Sequence, residues 1–83
     1  MYELRISPQA KRELKKLPMS HKKAILGALL EIKMDPFLGK PLKRELKRYF
    51  SYRVGVYRVI YKVNKKDRVV DVVTAGHRRK VYN

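Results

Sequence analysis

The stretch that decides the fold spans residues 50–63 and reads FSYRVGVYRVIYKV. Residues 50–54 and 56–63 are rich in β-branched and aromatic side chains, which favour strands, and Gly55 between them allows a turn or a bulge. Alternate side chains of a strand share one side. One side of 56–63 carries Tyr57, Val59, Tyr61 and Val63, and the other carries Val56, Arg58, Ile60 and Lys62. We therefore expect Arg58 to point away from the core that its neighbours build.

The residues before this stretch predict one strand and two helices. Apolar and charged residues alternate in 2–6, as in a half-buried strand, and later apolar residues recur at helical spacing. The expected landmarks are the strand 2–6, a helix start at Ser7 and Pro8 with Ser7 as the cap, a helix end near 17–18, and Ser20 as the cap of a second helix ending at 35–36. The apolar stripe of the second helix is formed by Ala24, Ile25, Ala28, Leu29 and Ile32, widened by Leu26 and Leu30.

The residues around the central stretch predict a loop, a hairpin and a last strand. Residues 36–41 have no periodicity and contain two prolines, so we expect a loop. Residues 64–67 have hairpin-loop composition and lead into a strand over 68–75, followed by a short tail, 76–83. The order β-α-α-β-β-β predicts an α+β fold in which a two-helix hairpin packs on one face of a small antiparallel sheet. The other face is then open for function.

The composition allows one small domain, residues 1–83, with a polyanionic partner. The chain has 22 Lys and Arg against 7 Asp and Glu, a formal net charge of +15, and no Cys. Such an excess of positive charge points to nucleic acid first, to an acidic protein second and to an anionic membrane third. Without Cys there is no disulfide framework and no thiolate zinc site, and we expect no metal or other cofactor. No apolar run is long enough for a membrane span or a signal peptide, so we expect no membrane partner and a cytoplasmic protein.

Segment 40–53 combines cations with aromatic side chains. Cations bind the phosphate backbone, and aromatic rings stack on unpaired bases. The segment holds one acid, Glu45. We expect RNA binding by Lys40, Lys43, Arg44, Lys47, Arg48, Arg53, Tyr49 and Tyr52.

Three segments together resemble the RelE/ParE superfamily of toxins from type II toxin–antitoxin modules. Residues 6–18, ISPQAKRELKKLP, are similar to the first strand and helix of that family. Residues 52–61, YRVGVYRVIY, resemble its Arg-Val-Gly-x-Tyr-Arg-Val-Ile-Tyr core almost residue for residue. The ending GHRRKVY, residues 76–82, resembles the Gly-His-Arg...Val-Tyr ending of the RelE-like branch. The resemblance spans nearly the whole chain and implies the RelE-like fold.

The resemblance implies a ribosome-dependent endoribonuclease that cuts mRNA and is inhibited by an acidic antitoxin. Arg58 and Arg78 match the phosphate-contacting arginines of the branch, and Tyr82 matches its terminal tyrosine. His77 is the one side chain near the carboxyl terminus that titrates near neutrality, so we include it among the catalytic candidates. The strand lysines of well-studied relatives are missing, because Tyr49-Phe50-Ser51 stands in their place, and Val56 stands where an Asp is common.

Two other functions remain open at this point. One is a ParE-like protein that poisons DNA gyrase without cutting RNA, against which Arg78 and Tyr82 argue. The other is a non-catalytic basic module that binds RNA or the ribosome, which the missing lysines and the high charge favour.

Overall fold

A computed structural model of the chain describes residues 1–43 and 48–77. Two α-helices, one turn of 3-10 helix and the strands of one sheet account for most of these residues. In chain order they are β1 (Glu3–Ile6), α1 (Pro8–Lys15), α2 (Met19–Met34), the 3-10 helix (Pro36–Leu38), β2 (Lys40–Pro41), β3 (Tyr49–Val54), β4 (Tyr57–Asn64) and β5 (Val69–His77).

The strand order is β1-β5-β4-β3-β2. Strands β2 to β5 pair antiparallel, but β1 lies parallel to β5, with Leu4 opposite Val70 and Ile6 opposite Val72. The α+β class and the element order are confirmed, whereas the sheet is mixed and not purely antiparallel. The helices α1 and α2 carry the chain from β1 to the opposite edge of the sheet, so β1 finds its pairing partner only in the last strand.

The core lies between the helices and one face of the sheet. Its members follow the period of two in each strand and the inner stripe of each helix. They are Ala10, Leu14, Ile25, Leu29, Ile32, Val59, Tyr61, Val63, Val70, Val72 and Ala75. The expectation that Val59, Tyr61 and Val63 share the core side is confirmed, and Arg58 belongs to the opposite face by the same alternation.

The start of α1 agrees with the expectation from the sequence, and the start of α2 differs from it. The side chain of Ser7 caps α1 by accepting a hydrogen bond from the backbone N–H of Ala10, as expected. Ser20 is not a cap, because α2 already begins at Met19. Pro18, in an extended conformation, takes the capping position. Within the described residues no helix is long and apolar enough to cross a bilayer.

The apolar stripe of α2 is narrower than expected. Its buried members are Ile25, Ala28, Leu29 and Ile32. The side chains that we expected to belong to or widen this stripe, Ala24, Leu26 and Leu30, are exposed. The sheet covers only one side of α2, so the remaining apolar residues form a second, outward stripe.

Tyr61 anchors the segment that we expected to be a simple loop. Its hydroxyl donates a hydrogen bond to the carbonyl of Pro36 (2.7 Å) and accepts one from the N–H of Gly39 (3.0 Å). Gly39 is required for this approach, because a Cβ there would collide with the Tyr61 hydroxyl. Residues 36–41 thus form a 3-10 turn and an edge strand, a position where Pro41 needs no N–H for the ladder.

Tyr61→Phe tests this anchor and its pH dependence. Burial raises the pKa of Tyr61 to about 12, above the value of about 10 in an unfolded chain. The neutral phenol therefore stabilises the fold below pH 10, and this contribution is lost as the pH rises from 10 to 12. At pH 7 we expect Tyr61→Phe to lower the free energy of unfolding by about 1–3 kcal/mol, because two buried backbone groups lose their partner.

Chemical unfolding at pH 7 and at pH 10–12 measures both effects. The wild type should lose stability more steeply with pH than Tyr61→Phe, by up to about 1.4 kcal/mol per pH unit. Tyr49→Phe removes a hydroxyl on the other face and should change the pH 7 value by less than about 0.5 kcal/mol. Parallel pH profiles for the wild type and Tyr61→Phe would contradict the assignment.

Candidate nucleic-acid interface

A two-residue turn sets the central feature of the open face. Gly55 adopts a positive φ of 60°, and only Gly55 and Val56 separate the paired residues Val54 and Tyr57. So short a loop sets the register of the hairpin. The next pair along the two strands is Arg53 opposite Arg58.

The two arginines lie on the face that the helices leave open. Side chains directly opposite each other in an antiparallel pair have Cβ atoms about 4.5–5.5 Å apart, and like charges in such a pair are destabilising. Arg53 is exposed and Arg58 is half-buried. The strand pair therefore holds two cations close together. This geometry favours the binding of an anion between them.

A cleft of about 450 Å³ contains this pair, and we name it the arginine cleft. It is lined by Leu38, Gly39, Lys40, Leu42, Ser51, Tyr52, Arg53 and Arg58. None of these described lining residues is acidic. The ligand that suits the arginine cleft is therefore an anion.

A second row of polar residues crosses the same face further along the strands. Tyr49 lies opposite Lys62, whose Nζ is 5.9 Å from the centre of the tyrosine ring. Lys62 also lies opposite Asp71 of β5. In the ladder, Lys62 thus has an acidic residue opposite it, whereas Arg53 and Arg58 lie opposite each other.

The structure brings only some of the predicted RNA-binding residues together. Lys40 and Arg53 line the arginine cleft, Tyr49 is half-buried on the open face, and Lys43 and Arg48 are exposed. The ring of Tyr52 packs against the core, and its hydroxyl donates a hydrogen bond to Glu31 (2.8 Å), which raises the pKa of Tyr52. These contacts favour a packing role for Tyr52. Arg44 and Lys47 lie outside the described residues.

The predicted catalytic residues cluster around the end of β5 as far as the structure describes them. Gly76 of β5 lies directly opposite Arg58, and His77, the last residue of the strand, lies opposite Tyr57. Arg78 and Tyr82 follow in the chain and lie outside the described residues.

Glu13 holds the end of β5 in place, a role that the sequence did not indicate. The pairing of β1 with β5 stops at Val72, so the next residues of β5 need other partners. The Glu13 carboxylate accepts hydrogen bonds from the hydroxyl of Thr74 (2.7 Å) and the N–H of Ala75 (2.9 Å). The hydroxyl of Ser7 donates to the carbonyl of Val73 (2.6 Å).

His21 is the second residue whose position could not be anticipated. His21 lies on α2, far from the tail in sequence. It is exposed, but its Nδ1 lies 2.8 Å from the hydroxyl of Tyr57, and the two ring centres are 5.1 Å apart. This pair links α2 to the strand next to the end of β5. Thirty-six residues separate the partners, and no local pattern signals their contact.

Arg53→Thr tests the electrostatic conflict in the arginine cleft. Removing one of two opposed cations should raise the free energy of unfolding by about 0.2–1 kcal/mol, because the like-charge repulsion disappears. It should also weaken binding of single-stranded RNA. Chemical unfolding and fluorescence anisotropy measure the two effects.

Lys62→Thr is the matched control, since this cation lies on the same face and opposite Asp71. We expect no gain in stability from it. If Arg53→Thr lowers the free energy of unfolding as much as Lys62→Thr does, the two arginines do not repel each other.

The chain is similar to toxins of toxin–antitoxin systems over nearly its full length. A family model described as the ParE toxin of the type II toxin–antitoxin system parDE matches residues 4–82. Toxin RelG of Mycobacterium tuberculosis is 36% identical over 87 residues, which cover 98% of this chain and 95% of RelG. Toxin RelE of the same organism is 31% identical, with 98% of this chain and 86% of that protein covered.

Solved structures agree with these relatives. A chain in the crystal structure of the toxin–antitoxin complex RelBE2 from M. tuberculosis superposes with a TM-score of 0.84 at 34% identity, covering 93% of this chain and 98% of that chain. A chain of the archaeal RelE–RelB complex from Pyrococcus horikoshii gives a TM-score of 0.77 at 27% identity. The match covers 93% of this chain and 94% of that chain. Because family model, relatives and fold agree across the chain, this protein belongs to the RelE/ParE superfamily and is a RelE-family toxin of a type II toxin–antitoxin system.

Proposed function

We propose that this toxin is a ribosome-dependent endoribonuclease that cuts mRNA by attack of a ribose 2′-OH on the adjacent phosphate. The observation that carries the proposal is the pair Arg53 and Arg58, opposed on neighbouring strands in a cleft whose described lining holds no acid. The reaction needs a group that removes the 2′ proton, cations that stabilise the phosphorane, and a group that protonates the leaving 5′ oxygen. This route requires no metal ion.

Arg58 is the cation that we assign to the phosphorane. A guanidinium stays charged and binds two phosphoryl oxygens with a planar pair of N–H groups, so it suits charge that develops on a phosphate. Arg58 is half-buried, which strengthens its electrostatic effect relative to a fully solvated cation. Arg53 and Lys40, both exposed in the same cleft, position the neighbouring backbone.

The proton transfers fall to residues at the carboxyl end of the chain. β5 ends at His77, and the residue just before it lies opposite Arg58. Arg78 and Tyr82 follow His77 in the sequence, and the described end of β5 lies beside Arg58, which supports their inclusion in the site. We assign Arg78 a second contact to the phosphate, and His77 and Tyr82 the proton transfers.

Arg58→Ala tests the proposed chemistry. We expect mRNA cleavage on translating ribosomes to slow by about 10²-fold or more, the range for losing one charge-stabilising donor, while ribosome binding falls only modestly. Primer extension on a cell-free translation reaction maps the new 5′ ends.

Lys62→Ala is the matched control, because it removes a cation from the same strand and face without touching the cleft. It should cut at nearly the wild-type rate. Equal rates for wild type and Arg58→Ala would remove Arg58 from the mechanism. Inhibition of translation without new 5′ ends would indicate a non-catalytic ribosome-binding module. Unaffected translation together with inhibition of DNA supercoiling by gyrase would indicate a gyrase poison.

We further propose an acidic antitoxin as the partner that inhibits this toxin, and we place its binding segment on α2. The outer side of α2 carries a stripe of exposed apolar side chains, formed by Met19, Leu26, Leu30 and Met34. These residues are spaced so that they share one face of the helix. With a net charge of +15, a second copy of the toxin would be repelled, whereas an acidic amphipathic helix would cover the stripe and reduce the charge.

Leu30→Glu tests this surface, because Leu30 lies within the stripe and is exposed. A carboxylate there should repel an acidic helix and lose apolar contact, so we expect at least a tenfold weaker affinity for the antitoxin by calorimetry. Inhibition of translation by the free toxin should be unchanged. Val56→Glu adds the same charge at an exposed apolar position in the hairpin turn and should leave antitoxin binding near wild type. Equal losses in both variants would mean that net charge, and not the stripe, governs the affinity.

A further inference from the structure

A second cleft, of about 710 Å³, lies on the other side of the β2 edge from the arginine cleft. We name it the aromatic cleft. It is lined by Phe37, Pro41, Arg48, Phe50, Val63, Asn64, Lys65 and Lys66. Its walls are apolar, three cations lie around them, and none of these described lining residues is acidic. Val63 and Phe50 reach it from the core side, and the proposed chemistry does not use this cleft.

The aromatic rings of the cleft are fixed by their neighbours. Phe50 stacks on Tyr61 with ring centres 5.5 Å apart and an interplanar angle of 12°, so the buried tyrosine supports it from behind. Phe37 meets Phe50 edge-on, with centres 5.7 Å apart and an angle of 72°. Phe37 is 46% exposed, so part of its ring is available to a ligand.

The cations are close enough to these rings to act with them. The Nζ of Lys65 lies 5.3 Å from the centre of the Phe37 ring. Lys66 and Arg48 are exposed on the same rim. A flat aromatic ligand that carries negative charge on its attached group fits this arrangement, and an unpaired nucleotide is such a ligand.

The two clefts share a wall, and this favours RNA over an acidic peptide. Segment 37–42 contributes Phe37 and Pro41 to the aromatic cleft, and it contributes Leu38, Gly39, Lys40 and Leu42 to the arginine cleft. An RNA strand whose phosphate lies at Arg58 can therefore pass over the exposed Lys40 into the aromatic cleft. Along β3 the distance from Arg53 to Phe50 is three residues, or about 10 Å.

We propose that the aromatic cleft binds an unpaired base of the RNA whose backbone crosses the arginine cleft, and so helps to select the position of the cut. This inference rests on the proposed function, because it takes RNA as the substrate. The base stacks on Phe37, and the neighbouring phosphates contact Lys65, Lys66 and Arg48.

The experiment measures binding of 2′-O-methyl hexanucleotides, which cannot be cut because they lack a free 2′-OH. One set is intact, and in the other set a single base at a time is removed while every phosphate remains. For the wild type we expect removal of one base to weaken binding about tenfold, the range for loss of one aromatic stack. Phe37→Leu keeps the apolar volume and removes the ring, so it should bind the intact and abasic strands equally.

Val56→Ala is the control, since Val56 is exposed and lines neither cleft. It should keep the wild-type preference for the intact strand. Equal binding of intact and abasic strands by the wild type, or a preserved preference in Phe37→Leu, would overturn the proposal.

The protein alternative is tested with an acidic peptide that carries a single Trp. If Phe37→Leu weakens binding of this peptide and leaves the RNA preference intact, the cleft is a peptide site and the proposal is wrong. Failure here leaves the proposed function standing, because cleavage is measured separately with Arg58→Ala. A wild-type protein that neither binds nor cuts RNA would overturn both.

Discussion

The hydroxyl of Tyr61 is the contact on which both clefts depend. It bridges the carbonyl of Pro36 and the N–H of Gly39, and thereby holds segment 37–42, the common wall of the two clefts, against the sheet. Lys40 and Pro41 pair with β3, and the N–H of Leu42 donates to the carbonyl of Tyr49 (2.9 Å), so few ladder hydrogen bonds position the segment. Gly39 is part of the same constraint, because no Cβ fits beside the phenol. Burial raises the pKa of Tyr61 to about 12, so the neutral form that can donate to Pro36 persists to higher pH than in an unfolded chain.

The end of β5 is held by side chains because β1 is too short to pair with all of it. A register shift separates the pair Tyr61 and Val72 from the pair Ile60 and Thr74, so the strand bulges where β1 ends. Beyond that point, Ser7 and Glu13 supply the partners that a strand would otherwise supply. Ser7, at the junction of β1 and α1, and Glu13 of α1 thus help to position the end of β5, where Gly76 lies opposite Arg58. A position far from the cleft in sequence thereby controls the geometry beside it.

Two features of the described surface suit a bound partner. One is the opposition of Arg53 and Arg58, and the other is the apolar stripe on the outside of α2. Neither is needed to build the core. In the proposed complexes, an anionic phosphate lies between the arginines and an apolar, acidic helix covers the stripe. The isolated toxin therefore carries the complementary halves of two proposed complexes on different surfaces, the open face of the sheet and the outer side of α2.

The sequence by itself determined the properties that depend on near neighbours. Alternation placed Arg58 opposite the core, and Ser7 next to Pro8 marked the start of α1. Gly55 indicated a turn or a bulge, and the structure shows the two-residue turn that places Arg53 opposite Arg58. Local pattern was insufficient for Ser20 and for Leu26 and Leu30, because α2 has apolar residues on two sides and only the sheet decides which side is buried. The parallel pairing of β1 with β5, the Glu13 and Tyr61 contacts and the aromatic cleft join residues 13 to 66 positions apart. Only the tertiary structure could decide them, since such contacts form when separate elements pack and leave no periodic signal in the chain.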